Sequence, residues 1–344
     1  VKKVFYVLIF QLLLLNVFAD NLTFVKKVVP SQPMEIWKFD VKKDRFYVMS
    51  SENCIYCLTL AGKVIKKIGR QGEGPGEFKS LSDFFIRDNQ IIAADNERKI
   101  NTFSLDGNLV DEKKTKNTIG NILSSGKSTL YVTKKPDTRD KKNIKFYLKI
   151  FDAKNGDELY SIPDESKVNA IHPSSGQKFV YPWYPAPFYN RVNYITGKDE
   201  KLRLFFIREN FFFLFEAGEF KKVDFKFNLK SKGVTETDRQ NFLGQVDRGS
   251  GKKFPKKTKK SVVFPDTKEL FLGAINWDDK FALVCEAHLV IISKNGDFIK
   301  KISFPSSLNI YDRALGYPEN IMVKHGDFFY IKNEEEEISI FKIH

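Results

Sequence analysis

The chain has 344 residues, 42% of them hydrophobic and 29% charged, and its 57 basic and 43 acidic side chains leave a net charge of +14. Phenylalanine alone numbers 33, ample for a sizeable core. The basic surplus favours contacts with polyanions, while three cysteines, an odd and small number, exclude a dense disulfide framework.

Lys2 and Lys3 precede an apolar run from Val4 to Phe18, broken only by Gln11 and Asn16. Val17-Phe-Ala19 then places small residues where a signal peptidase needs them, before Asp20. The run is shorter than the ~20 residues of a bilayer span. Residues 1–19 are therefore expected to be a signal peptide, and the chain to be secreted or periplasmic, without a transmembrane span after cleavage. No cysteine follows the run, so no lipid anchor is expected. Export sets nucleic acid aside as a partner despite the charge.

Leu22-Thr-Phe-Val-Lys-Lys-Val-Val29 reads as a strand, and it matches Lys63-Val-Ile-Lys-Lys-Ile68 and Asp297-Phe-Ile-Lys-Lys-Ile302, each of which closes a set of strands. Such sets are read at residues 35–67, 128–159, 191–227 and 262–302. Another set comprises Asp83–Ile86, Gln90–Ala94 and Ile100–Leu105, with a turn at Asp88-Asn89 and a fourth strand from Asn108. A sixth, from Ile321 to Ile343, lacks an outer strand. Turn pairs recur at Ala61-Gly62, Asp106-Gly107, Asn155-Gly156, Ala217-Gly218 and Asn295-Gly296, because glycine tolerates the positive φ of tight hairpin turns. The strand at 22–29 is predicted to pair with the last set and cover its edge.

Cys54-Ile-Tyr-Cys57 has the spacing of a metal knuckle or redox pair. Its strand-like neighbours would turn the two thiols to opposite faces, so a structural role is expected. Gly69, Gly72, Gly74 and Gly76 beside Arg70 could offer backbone N–H groups to an anion. No Lys-Ser/Thr pair or helix follows, and Pro75 removes a donor, so a crossover between adjacent sets of strands is the expected role.

Gly72-Glu-Gly-Pro-Gly-Glu-Phe78 and Ala93-Ala-Asp-Asn-Glu-Arg-Lys-Ile-Asn-Thr-Phe-Ser-Leu-Asp-Gly107 resemble the blade signature of NHL-repeat propellers. From residue 20 onward the chain is similar to the secreted bacterial six-bladed propellers related to that family. The resemblance implies an all-β fold: a six-bladed β-propeller of four-stranded antiparallel blades, one domain over residues 20–344, closed by the N-terminal strand. Later blades depart from the signature at Val284-Cys-Glu-Ala-His288 and Asn333-Glu-Glu-Glu-Glu337.

Two insertions, at about residues 172–190 and 229–261, hold the candidate ligand-binding residues, since loops on a rigid scaffold carry recognition. The first is a loop with Tyr181, Trp183, Tyr184, Phe188 and Tyr189 between three prolines, and its aromatic faces suit a sugar ring or a peptide. Related propellers carry a comparable Pro-Phe-x-Asn-x-hydrophobic-Tyr lead-in, here Pro187–Tyr194, which implies a structural role instead. The second insertion, with helix expected around Thr235–Val246, carries Lys252, Lys253, Lys256, Lys257, Lys259 and Lys260, a polyanion contact or a solvated loop.

No nucleophile motif of the G-x-S-x-G kind is present, and His172, His288, His325 and His344 are not spaced as a local pair. The expected function is an exported binding module that presents these loops to a protein, peptide or glycan of the cell envelope, with no catalytic residue and no cofactor assigned. The alternative is a calcium- or zinc-dependent hydrolase or lyase at the central channel. Calcium stays open because lactonase-like propellers hold it through Glu, Asn and Asp from separate blades, which leaves no local motif.

Overall fold

A computed structural model describes residues 22–137, 145–164, 167–171, 178–185, 192–240, 243, 264, 266, 268, 270–305, 308, 318–333 and 335–344. Among them the chain builds six four-stranded antiparallel sheets, the blades of a six-bladed β-propeller, and one further two-stranded sheet. The chain divides into two compact units, one drawn from Val1–Ser51, Ile55–Lys67 and Leu272–His344, the other from Glu52–Cys54 and Ile68–Phe271.

The first unit holds three blades. Blade 1 is β2 (Ile36–Lys42), β3 (Arg45–Ser50), β4 (Cys54–Thr59) and β5 (Val64–Ile68). Blade 5 is β20 (Gly273–Trp277), β21 (Lys280–Val284), β22 (His288–Ile292) and β23 (Phe298–Ser303). Blade 6 joins β24 (Met322–His325), β25 (Phe328–Lys332) and β26 (Ile338–Ile343) to β1 (Leu22–Val28), as the sequence predicts. The register runs antiparallel from Leu22 opposite Ile343 to Val28 opposite Ile338, and both Leu22 and Val28 are buried. A short helix α1 (Pro318–Ile321) packs on β2, β20 and β24.

The second unit holds blade 2, with β6 (Leu81–Arg87), β7 (Gln90–Asp95), β8 (Lys99–Ser104) and β9 (Leu109–Lys114). Blade 3 comprises β10 (Asn121–Ser125), β11 (Ser128–Asp137), β12 (Lys145–Asp152) and β13 (Glu158–Asp164). A hairpin of β14 (Lys167–Ile171) and β15 (Lys178–Pro185) follows, and then blade 4 with β16 (Val192–Thr196), β17 (Leu202–Phe206), β18 (Phe211–Glu216) and β19 (Glu219–Asp224). Blade 3 thus starts earlier than the expected Ser128 and blade 5 later than the expected Val262. The strand Asn-Ile-Leu-Ser-Ser lacks an apolar alternation, and its pairing with β11 makes it a strand.

In both units β10 and β24 show how blades meet. The strand β24 lies against β2 and β20, and β10 lies against β6 and β16, so first strands converge. Fourth strands are the exposed ones, with patterns such as Leu109–Lys114 open along most of their length. Between blades the sheets bury apolar faces on each other. Ile92 and Ala94 of blade 2 pack with Ile122, Tyr131 and Phe151 of blade 3. Leu130, Val132 and Ile150 of blade 3 pack with Leu202, Leu204 and Phe206 of blade 4. Middle strands are covered on both faces and read as continuous apolar runs.

Local chemistry explains the hairpins. The five turn glycines between third and fourth strands, Gly62, Gly107, Gly156, Gly218 and Gly296, take φ of 77–85°, the left-handed region that a side chain resists. Asp88 and Asn89 take φ of 47° and 60° in the first turn of blade 2. A polar bridge then locks blade 2 to blade 3. Asp83, buried on β6, accepts bonds from the Ile122 N–H at 3.0 Å and Asn121 Nδ2 at 3.3 Å. Arg87 donates to the Ser128 carbonyl at 2.8 Å and to Thr129 Oγ1 at 3.0 Å.

Candidate functional site

The glycine-rich loop is filled by the protein's own carboxylate. Glu77 turns back into it and accepts the Gly74 N–H at 2.8 Å and Arg70 Nε at 2.6 Å. A Cβ on Gly72 would lie 2.1 Å from Glu77 Oε2, so the carboxylate occupies the hollow that glycines open. The backbone closes around it, with the Phe78 N–H bonded to the Arg70 carbonyl at 2.8 Å and the Gly72 N–H to the Phe78 carbonyl at 3.0 Å. Phe78 is fully buried, and Gly69, at φ 69°, would place a Cβ 2.4 Å from its ring. Lys99 caps the loop through the Gly74 carbonyl at 3.1 Å.

The Gly74 N–H first, and then Arg70, hold the Glu77 carboxyl below its usual range. A depressed carboxylate stabilises the fold above its unfolded pKa and stops doing so as the pH falls through the folded one. Glu77→Gln is therefore expected to lower the melting temperature at pH 7 and to match the parent at strongly acidic pH. Melts with and without phosphate at each pH check this, and no phosphate-dependent stabilisation is expected of the parent.

Other titratable groups sit on the strands of the first unit. Burial raises the Asp40 carboxyl on β2, against the opposing pull of the Val41 N–H, Lys38, Lys42 and His325. Burial also pushes Tyr47 up to about 12, with Cys57 beside it adding to the rise and Arg45 opposing it. The three cysteines are buried and form no disulfide, and burial pushes the Cys285 thiol up to about 12. Among the described residues no group of three His, Cys, Asp or Glu side chains is placed to hold a metal ion. No described helix is long and apolar enough to cross a membrane.

The first insertion differs from its expected form. Tyr181, Trp183 and Tyr184 lie on β15, in a strand rather than a loop, because Lys178–Pro185 pairs with Lys167–Ile171. The hairpin is irregular where the aromatics fall. Val168 faces Tyr181 and Lys167 faces Pro185, so Pro182, Trp183 and Tyr184 bulge between two successive partners. Phe188 and Tyr189 lie outside the described residues.

The second insertion is described at its base. The Val234 N–H bonds the Asp266 carbonyl at 3.0 Å and the Lys268 N–H bonds the Lys232 carbonyl at 2.8 Å, which pins the two ends together. Helix forms at residues 236–240, within the expected stretch. Thr235 and Asp238 cap it reciprocally, with Thr235 N–H donating to Asp238 at 2.9 Å and the Asp238 N–H to Thr235 Oγ1 at 3.2 Å. Lys268 pairs with Asp238 at 2.7 Å, both nearly buried. Burial would raise the Asp238 carboxyl, but Lys268 and Thr235 hold it below its usual range. Lys252, Lys253, Lys256, Lys257, Lys259 and Lys260 lie outside the described residues.

One aromatic escaped the sequence reading. Trp37 is the extra residue of a bulge in β2, where Ile36 and Lys38 face consecutive residues of β3, and it is 43% exposed. The same bulge recurs at Ser82 in blade 2. Only alignment on the inner hairpin turns brings these positions into register, which is why Trp37 carried no signal in the linear sequence.

A family model described as a 6-bladed beta-propeller, DUF5128, matches residues 33–213. No curated protein sequence matches the chain. Among solved structures, a candidate exported protein of Bacteroides fragilis is 14% identical over 95% of each chain, with a TM-score of 0.55. Virginiamycin B lyase from Staphylococcus aureus is 11% identical over 93% of this chain and 99% of its own, with a TM-score of 0.44. A streptogramin B lyase is 10% identical over 93% and 87%, with a TM-score of 0.42. The likeness to the Bacteroides protein is one of fold.

Proposed function

The chain belongs to the DUF5128 family of six-bladed β-propellers, and from that premise we propose that it is an exported binding module for a glycan of the cell envelope. The observation that supports this reading most directly is the β14–β15 hairpin, where Trp183 and Tyr184 fall in a bulge between paired positions. Aromatic rings can lie flat against sugar rings, and a paired hairpin limits the entropy lost on binding. Lys252–Lys260, on an insertion pinned by Asp238 and Lys268, would add attraction to acidic glycans that salt screens. Export rests on Lys2, Lys3 and the apolar run to Phe18.

The test is co-sedimentation of the chain with polysaccharide prepared from envelopes. Trp183→Ala with Tyr184→Ala is expected to weaken binding by at least about tenfold, the loss of one to two aromatic contacts. Equal binding by the double variant and the parent would remove the hairpin from the reading. Peptide competition that displaces the parent would transfer the ligand class from glycan to peptide.

A further inference from the structure

The outer strands of the two units differ sharply in charge. In the first unit β1, β5 and β23 carry six lysines, Lys26, Lys27, Lys66, Lys67, Lys300 and Lys301, and no acidic residue. In the second unit β9, β13 and β19 carry four lysines and six acidic residues. Lysine on an outer strand ordinarily discourages sheets from pairing edge to edge. That purpose applies to all six blades and does not require the outer strands of one unit to carry no acidic residue; of the six lysines, Lys27 also pairs with Glu337, just before β26, at 2.8 Å.

Apolar side chains stand beside these lysines. Phe24 is 52% exposed, Ile65 47% and Phe298 51%. Two of the three strands are also bulged. Val25 is the extra residue between Phe24 and Lys26 in β1, and Ile299 the extra residue between Phe298 and Lys300 in β23. Each bulge breaks the backbone spacing that an added strand would need while keeping an apolar side chain at the surface. Blade 6 lies between the other two, since β24 packs on both β2 and β20, so the three outer strands belong to consecutive blades.

We propose that this run of outer strands docks on a lipid surface rich in anionic headgroups. Such a surface meets the lysines with negative charge and the exposed Phe, Val and Ile with hydrocarbon at the same depth. An acidic glycan answers the lysines alone, and the bulges oppose an added peptide strand. These strands belong to the first unit, whereas the β14–β15 hairpin belongs to the second.

The experiment is flotation of the whole chain with vesicles of phosphatidylcholine, with and without phosphatidylglycerol, at about 0.1 M salt, where charges are screened beyond ~10 Å. The parent is expected to float only with the anionic vesicles. Lys26→Gln, Lys66→Gln and Lys301→Gln together are expected to weaken partitioning about 100-fold. Phe24→Ser with Phe298→Ser is expected to weaken it at unchanged charge, while Lys221→Gln with Lys222→Gln on β19 leaves it intact. Circular dichroism melts overlaying the parent's show that each variant folds. Three results overturn the proposal: no flotation of the parent, undiminished flotation of the triple variant, or flotation abolished by neutralising Lys252–Lys260 alone. Binding to heparin without flotation assigns the lysines to a glycan instead.

Discussion

Deleting residues 22–29 is expected to lower the melting temperature by more than about 10 °C, the equivalent of several kcal/mol in a domain of this size. The segment contains β1, which supplies the fourth strand of blade 6 from the opposite end of the sequence. Its loss uncovers the edge of β26 from Ile338 to Ile343 and removes two buried side chains, Leu22 and Val28, each worth about 1.5–3 kcal/mol. The ladder itself adds net stability of about 0.5–1.5 kcal/mol per bond. Phe341, packed edge-on against Phe24 at 5.8 Å, would lose that neighbour as well. Because Leu22 faces Ile343, moving the strand behind His344 through a short turn restores the same antiparallel register. Such a permuted chain is expected to recover most of the lost stability, measured by thermal and urea melts of the three chains. A deletion that melts with the parent would mean that blade 6 does not need this closure.

Replacing Arg203 with methionine or alanine is expected to be the most damaging single change in blade 4. Its side chain is 1% exposed, and it binds Asp199 through two parallel bonds of 2.9 and 2.6 Å, with a third to the Lys201 carbonyl at 3.1 Å. Removing one partner of such a pair costs about 3–5 kcal/mol, and alanine adds the loss of packed volume. Methionine fills much of that volume without a charge, so it is expected to be the milder of the two. Arg203 is the first cause that holds the Asp199 carboxyl below its usual range. The stabilisation is thus complete above the unfolded pKa of Asp199 and fades as the pH falls through the lower folded value. The difference in stability between parent and Arg203→Met should shrink below about pH 4, near the ordinary carboxylate value. Denaturant melts of both chains from neutral to acidic pH measure it. A difference independent of pH would assign the effect to packing alone.

The positions of the tight turns were legible in the sequence because their cause is local. A glycine after Asp, Asn or Ala is required wherever φ lies near 80°, and all five predicted pairs sit between third and fourth strands. Strand β1 was legible because its Phe-Val-Lys-Lys matches β5 and β23, the outer strands of other blades. Strand β10 was not, since Asn121–Ser125 owes its extended form to pairing with β11 and to Asp83 on β6. The same holds for Tyr181–Pro185, read as a proline-stiffened loop but drawn into a hairpin by Lys167–Ile171.

Composition and repetition therefore determined the class of fold, the blade number and the closure, because each blade repeats one local solution to the same packing problem. Tertiary structure alone decided what the polar groups do. It placed the Glu77 carboxylate in the glycine hollow, buried Arg203 against Asp199, and turned Trp37 out of its strand on a bulge. It also sorted the lysines, since a charge on an outer strand acquires a neighbourhood only when blades stand side by side. Partners of this kind are set by distance in space, which the order of residues along the chain does not encode.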